Sequence, residues 1–197
     1  VGTFASGNAV SGSTHTLCYV GISAVGAISG SSVTPNVTFA TGNQMTVLRS
    51  KLSLLPQFST SIRNRRSFDS ITTIQVSASP TDDATLESIK LTFVGSAIVN
   101  GGAAAPFAVS LHNTDGTILG SSSNPQTCTP SASTRLCTVT FNPNYTIGGG
   151  SAANIIVRVD SSGFLNDANA QDNLLVSINS AQDLKFNDGS VSGFPLE

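Results

Sequence analysis

Three features of the sequence predict an all-β fold, a single β-sandwich with an extended N-terminal arm strand. Apolar residues alternate with polar ones over short runs, which is the two-residue period of a half-buried strand. Gly, Pro, Asn and Asp separate these runs at intervals of about ten to fifteen residues. No segment sustains the 3.6-residue period of an amphipathic helix. In a chain of 197 residues, this pattern favours one sandwich of immunoglobulin-like or jelly-roll type.

Residues 1–43 form the predicted arm, and the candidate strand within it is 17–28, with the sequence LCYVGISAVGAI. Alternate residues place an apolar set on one face: Cys18, Val20, Ile22, Ala24, Gly26 and Ile28. A helix is disfavoured because Gly21 and Gly26 would each cost about 1 kcal/mol in its interior. A strand with an apolar face and an open ladder needs a host sheet. The host is either the sheet of its own domain or that of a neighbour, and our leading hypothesis is that the strand completes the β-sheet of a neighbouring copy by strand addition.

The sandwich domain is predicted over residues 44–197. A first strand is expected from Met45 to Leu54, ending at Pro56. The inward residues expected in the later strands are Ile71, Ile74, Val76 and Ala78; Ile89, Leu91 and Phe93; Phe107, Val109 and Leu111; Cys137, Val139 and Phe141; Ile155, Val157 and Val159; Leu174, Val176 and Ile178; and Leu184 and Phe186. Lys90, Thr92, Arg158 and Asp160 are expected to point outward. Asp115-Gly116 predicts a hairpin that returns through Ile118 and Leu119.

Few residues are charged, and the charges are unevenly distributed. Charged residues make up 10% of the chain, the net charge is −2 and the pI is near 5.6, which argues against nucleic-acid partners. Residues 1–68 carry five basic and no acidic residues, whereas the remainder carries four basic and eleven acidic ones. The basic run 63–66 fits a solvated loop, a head-to-tail fit between subunits, or a protease-processing site.

Three cysteines in a chain rich in Ser and Thr point to an oxidising compartment. Cys128 and Cys137 flank a Pro/Ser loop between two strand-like runs, and we predict that they form a disulfide. Cys18 would then be a buried free thiol or a cross-link to a neighbour. Asn36 and Asn144 are the candidate glycosylation sites. The first residue is Val1, not Met, and we expect it to follow a removed leader, which places the protein outside the cell or at its surface.

A family resemblance lies between Thr85 and Gly193, in the segments TLESIKLTF, CTP…LCTVTFNP, VRVDSSGF and NLLVSINSAQDLKFNDGSVSG. These strand and turn patterns resemble immunoglobulin-like β-sandwich domains in secreted surface proteins of uncultivated bacteria. The resemblance implies an extracellular structural module. It also implies a further strand after residues 192–197, without which the sandwich has a vacant edge. In architecture only, an arm that fills this edge resembles donor-strand subunits of bacterial pili and archaeal surface filaments.

The predicted function is a structural subunit of an extracellular filament or surface assembly, with copies of itself as partners in a head-to-tail homopolymer. A cell-surface adhesin or carbohydrate-binding module is the alternative, although sugar-binding sites usually stack on aromatic rings and the chain has no Trp and two Tyr. A viral coat jelly roll is a third possibility. Such a protein would usually have a basic arm if it packaged nucleic acid, and this arm is uncharged.

We predict neither an enzyme nor any cofactor. The two histidines, His15 and His112, lie outside any motif for nucleophilic catalysis and do not cluster with the cysteines, so no metal site is expected. The acidic turn 166–172 fits turn chemistry at least as well as calcium binding. No apolar run reaches eighteen residues, so membrane insertion is not expected.

The charge asymmetry predicts that assembly depends on salt. If the basic N-terminal third of one copy meets the acidic remainder of another, assembly should slow as salt rises, because exposed charges are screened beyond about 8–10 Å at physiological ionic strength. Light scattering over a sodium chloride series measures the rate. A rate that does not change with salt would mean that the asymmetry has no part in assembly.

Overall fold

The computed structural model describes residues 11–18, 24–25, 27–33, 41–57, 66–100, 103–120, 125–164, 173–189 and 192–195. The chain divides into two compact units, Val1–Leu48 and Arg49–Glu197. The described residues of the first unit form four strands: β1 (Thr14–Cys18), β2 (Ala24–Val25), β3 (Ser32–Val33) and β4 (Thr41–Thr46). β1 pairs with β4 and β2 pairs with β3, both antiparallel, so each sheet in this unit has two strands.

The second unit is an antiparallel β-sandwich. Its strands are β5 (Leu52–Gln57), β6 (Asp69–Ala78), β7 (Ala84–Val94), β8 (Val99–Asn100), β9 (Ala103–Ala104), β10 (Phe107–His112), β11 (Gln126–Cys128), β12 (Leu136–Phe141), β13 (Tyr145–Ile147), β14 (Ala152–Val159), β15 (Leu175–Ser177), β16 (Leu184–Asn187) and β17 (Phe194–Pro195). Two 3-10 turns lie at Ser96–Ile98 and Ala181–Asp183. The described residues include no α-helix, and the predicted all-β sandwich is confirmed.

Two sheets make up the sandwich. The five-stranded sheet has the order β11-β10-β14-β6-β5. In the six-stranded sheet β7 is central: β12 and β13 pair with one side of it, and β15 and β16 pair with the other. β17 then pairs with β16 at the edge, and β8 pairs with β9 in a separate two-stranded ladder.

The core lies between the inner faces of these sheets, and two T-shaped ring contacts join its parts. The centroids of Phe93 in β7 and Phe107 in β10 are 5.5 Å apart, which links one sheet to the other. Phe164, which follows β14, contacts Phe107 at 5.3 Å between centroids. Edge-to-face pairs of this kind contribute about 0.5–1.5 kcal/mol beyond the area that they bury.

Most of the predicted inward residues are buried. The sets in β7, β10, β12, β14 and β16 are all buried, as are Ile74, Val76, Ala78 and Val176. Ile71, Leu174 and Ile178 are only partly buried. Thr92 was expected to point to solvent, yet it is buried, because Thr138 of β12 and Ser177 of β15 lie opposite it on either side.

Two predicted strands have different bounds. The run from Met45 to Leu54 is not one strand, because β4 ends at Thr46 and β5 begins at Leu52. The hairpin signal at Asp115-Gly116 does form a turn, in which Gly116 has a φ of 89° that favours glycine. Within residues 103–120, the returning segment forms an isolated bridge between His112 and Ile118, and Leu119 donates its N–H to the Leu111 carbonyl.

A bulge at Glu87 changes which alternate residues of β7 face inward: even-numbered residues before it and odd-numbered residues after it. Leu86 pairs with Phe186 and Ser88 pairs with Lys185, so Glu87 is the extra residue opposite that step. Leu86 and Ile89 are therefore both buried, although three positions separate them. The Glu87 carboxylate accepts hydrogen bonds from Gly193 N–H at 2.7 Å and from Asn187 Nδ2 at 3.4 Å. The bulge thus provides the group that anchors the segment leading into β17.

Gly95, at the end of β7, should not tolerate a side chain. A Cβ at this position would lie 2.0 Å from the backbone oxygen of Asn173, so a backbone segment would have to move. We expect Gly95→Ala to lower the free energy of unfolding by about 1–3 kcal/mol or more, as overpacking does. Gly163→Ala is the matched control, because nothing lies within 4 Å of its Cβ position. Urea unfolding compares the two variants, and equal stabilities would contradict the close approach.

Candidate assembly site

Within the part that the structure describes, the strands of the N-terminal unit, Val1–Leu48, pair in two-stranded ladders. Gly12 donates its N–H to Val47 O at 2.7 Å, and Val47 donates to Ser13 O at 2.9 Å, which extends the β1–β4 ladder. The register of this ladder shifts between Thr16 and Cys18. Val25, Ile28 and Met45 are exposed. A two-stranded ladder is marginally stable by itself, because it has no second layer to bury apolar side chains.

The predicted donor residues lie in several different places. Cys18 is the last residue of β1, opposite Thr41, and Ala24 pairs with Val33 in β2–β3. Ile28 lies in the turn that follows β2 and is fully exposed. Val20, Ile22 and Gly26 lie outside the described residues. The strand predicted over 17–28 is therefore not continuous in this structure, because Ala24 and Val25 are part of a hairpin whose turn contains Ile28.

β5 and β12 are end strands of the two sheets. Ser79 donates its N–H to Lys51 O at 2.9 Å, and Lys51 faces Ser79 in the β5–β6 register. In an antiparallel ladder, residues that direct their N–H and C=O groups toward the neighbouring strand alternate with residues that direct them away from it. The N–H groups of Leu52 and Leu54 and the C=O groups of Leu52, Leu54 and Pro56 therefore point away from β6. Pro56 has no N–H, but an N–H at this position would point away from β6, so no hydrogen bond to β6 is lost.

The same reasoning applies to β12. Gly95 donates to Arg135 O at 3.2 Å, so Leu136, Thr138 and Thr140 direct their ladder groups away from β7. The Leu136 carbonyl already accepts a hydrogen bond from Ser131 N–H at 3.0 Å. The inward residues of β12 are all buried. β12 therefore has free ladder groups, but its inner face has no uncovered apolar residue.

The inward side chains of β5 are less completely buried than those of β12. Leu52 and Leu54 alternate with the exposed Ser53 and Leu55, so both leucines face inward. Leu52 is 0% exposed, whereas Leu54 is partly exposed. Sequence reasoning did not identify this edge, although Pro56 in LSLLPQ was a signal for it, because proline within a sheet is confined mainly to edge strands.

The Cys128–Cys137 disulfide is confirmed and closes one side of the sandwich. Cys128 belongs to β11 and Cys137 to β12, which are end strands of opposite sheets. Their Cα atoms are 5.9 Å apart, and both side chains are buried. The start of β5, on the other side, is held by polar contacts: the Arg49 guanidinium pairs with Asp82, and Arg49 N–H donates to Asp188 Oδ2 at 2.9 Å.

The remaining candidate residues do not form a reactive cluster. Asn144 is exposed in the connection between β12 and β13, and Asn36 lies outside the described residues. The His112 ring accepts from the Ser110 hydroxyl at Nε2 (2.9 Å), because its Nδ1 donates to the Gly116 carbonyl, also at 2.9 Å. The third partner of this buried pair is thus a carbonyl, which cannot act as the acid of a triad. In the described ranges no three His, Cys, Asp or Glu side chains lie close enough to bind a metal.

Asp183 is a buried carboxylate with several hydrogen-bond partners. The Lys90 ammonium lies 3.0 Å from Asp183 Oδ1, and Oδ2 accepts from the backbone N–H groups of Ser180 at 3.0 Å and Asn179 at 3.2 Å. The hydrogen bond from Lys90 is the largest cause that lowers the pKa of Asp183 below its usual 3.8, and burial opposes it. These bonds fix the 3-10 turn that leads into β16.

No protein-family model matches the chain, and no curated protein matches it significantly. Among the described residues, no helix has the length and apolar character needed to span a membrane.

The lowered pKa of Asp183 predicts a pH-dependent contribution to stability. A carboxyl whose folded pKa is depressed stabilises the fold at pH values above its unfolded pKa, and the contribution is lost as pH falls through the folded pKa. Lys90→Gln should raise the pKa of Asp183 and lower the free energy of unfolding at pH 7, and the stability difference from wild type should disappear in strong acid. Lys185→Gln, an exposed lysine on β16, is the control. NMR titration of Asp183 that gives equal pKa values in both variants would contradict the role of Lys90.

Proposed function

We propose that this protein is a structural subunit of an extracellular filament or surface assembly, which polymerises when its N-terminal strand joins the sheet of a neighbouring copy. The observation that carries this proposal is the contrast between the two units. The described strands of the N-terminal unit form two-stranded ladders and leave several apolar side chains exposed, whereas the sandwich has end strands that direct ladder groups away from their only strand partner among the described residues. One chain thus has both parts that strand addition needs.

The arm gains more from a host sheet than from its own ladders. An added strand pairs its backbone groups with the host and buries alternate side chains against a second layer. Burial of Val20 and Ile22 would contribute roughly 1.5–3 kcal/mol for each residue. The segment 17–28 contains no charged residue, so this burial requires no desolvation of a charge.

Strand addition of this kind would produce a polymer of one chain. The same surface is not used twice: one copy provides the arm and the next provides the edge, which is a head-to-tail contact. Such contacts produce rings or open filaments. The buried disulfide supports assembly in an oxidising compartment, since structural disulfides persist in secreted proteins.

Substitutions on the two faces of the donor segment test this proposal. Ile22→Asp should give a folded subunit that does not assemble, because insertion would bury an unpaired charge. Ser23→Asp is the matched control, one position away on the opposite face, and should assemble almost normally. Deletion of residues 1–30 should also prevent assembly. Sedimentation measures the assembled fraction, and circular dichroism verifies the fold.

Two outcomes count against donor-strand assembly. If Ile22→Asp unfolds the subunit, the segment is an internal strand of its own chain. If the truncated protein assembles as well as the complete chain, the arm takes no part in polymerisation.

A further inference from the structure

We infer that β5, and not β12, is the edge that receives the arm of the neighbouring copy. This inference rests on the proposed function and names the receiving surface. The occupant is the segment 17–28 of a second copy. Three features of the described strands separate the two edges: the covering of the inner face, the availability of the ladder groups, and the position of the disulfide.

The inner face of β5 is open where an added strand would cover it. Leu54 faces inward yet is partly exposed, whereas its neighbours on β6, Ile74 and Val76, are buried. An added strand places one face of its side chains over the same core as the strand beside it. The apolar face of segment 17–28 would therefore cover Leu54. On β12 the equivalent inward residues Cys137, Val139 and Phe141 are already buried, so an apolar face would gain little there.

The ladder groups of β5 are suited to pairing over a limited length. Leu52 and Leu54 each direct an N–H and a C=O outward, and Pro56 offers a C=O alone, so pairing should end there. β5 spans six residues, half the length of the twelve-residue segment 17–28. Neither strand contains a charged residue, so the pairing buries no charge. On β12, by comparison, Ser131 already occupies one of the outward carbonyls.

The disulfide distinguishes the two sides of the sandwich. Cys128 and Cys137 hold the ends of the two sheets together beside β12, so those edges cannot separate. β5 lies at the opposite end of the five-stranded sheet. There, the described contacts between Arg49, Asp82 and Asp188 hold only the start of the strand. In the middle of the strand, Ser53 and Leu55 are exposed and Leu54 is partly exposed, and we place the added strand beside them.

Proline substitutions in the complete chain distinguish the two edges. Leu54→Pro removes an outward N–H while keeping the bonds to β6, and Thr138→Pro does the same on β12 relative to β7. We expect Leu54→Pro to lower the assembled fraction about tenfold, because pairing loses a backbone bond and an apolar contact. Thr138→Pro should assemble as the wild type does. The opposite result, or equal effects of the two substitutions, would overturn the assignment of β5.

If Leu54→Pro does not fold, hydrogen–deuterium exchange of the wild-type protein still distinguishes β5 from β12 as the receiving edge. On assembly, the amides of Leu52 and Leu54 should become protected, while those of Thr138 and Thr140 should exchange as they do in the monomer. Protection at Thr138 and Thr140 alone would assign the arm to β12 and leave strand-addition assembly intact. Protection at neither edge in an assembled sample would overturn the β5 assignment. A wild-type chain that stays monomeric would refute the proposed function itself.

Discussion

The backbone ladder of β7 is the constraint on which the six-stranded sheet depends. Four strands pair with this one strand, two on each side, so its eleven residues fix the register of most of the sheet. The Glu87 bulge keeps apolar residues inward along both halves of β7, and the Glu87 carboxylate also binds Gly193 near the edge. Because Phe93 of this strand contacts Phe107 of the other sheet, the position of β7 also determines how the layers pack.

The two sides of the sandwich are built differently, and this difference links the fold to the proposed assembly. Beside β11 and β12, a buried disulfide joins the sheets and the inward side chains are covered. At β5, polar contacts hold the beginning of the strand and Leu54 remains partly exposed. An end strand with free ladder groups is a liability unless something covers it. In the proposed assembly, the arm of the next copy covers this edge.

The sequence was informative where one face of a strand is apolar and the other polar. In β12 and β14 this alternation predicted the buried residues correctly, because period-two burial is local information. The burial of Thr92 was not predicted, since it comes from strands on both sides that are distant in sequence. The break between β4 and β5 was also missed, because apolar residues continue through it: Val47 and Leu48 lie between the two strands. Edge positions depend on which strands pair, and a single strand does not encode its partners.

A cryo-electron microscopy reconstruction of the purified, assembled protein tests donor-strand polymerisation most directly. Filaments should be present, and the density for residues 17–28 should form a continuous strand hydrogen-bonded to the sandwich of the adjacent copy. That strand would differ from the separate β1 and β2 of the free chain. Monomers at every concentration, or an assembly in which each arm stays on its own chain, would contradict donor-strand polymerisation.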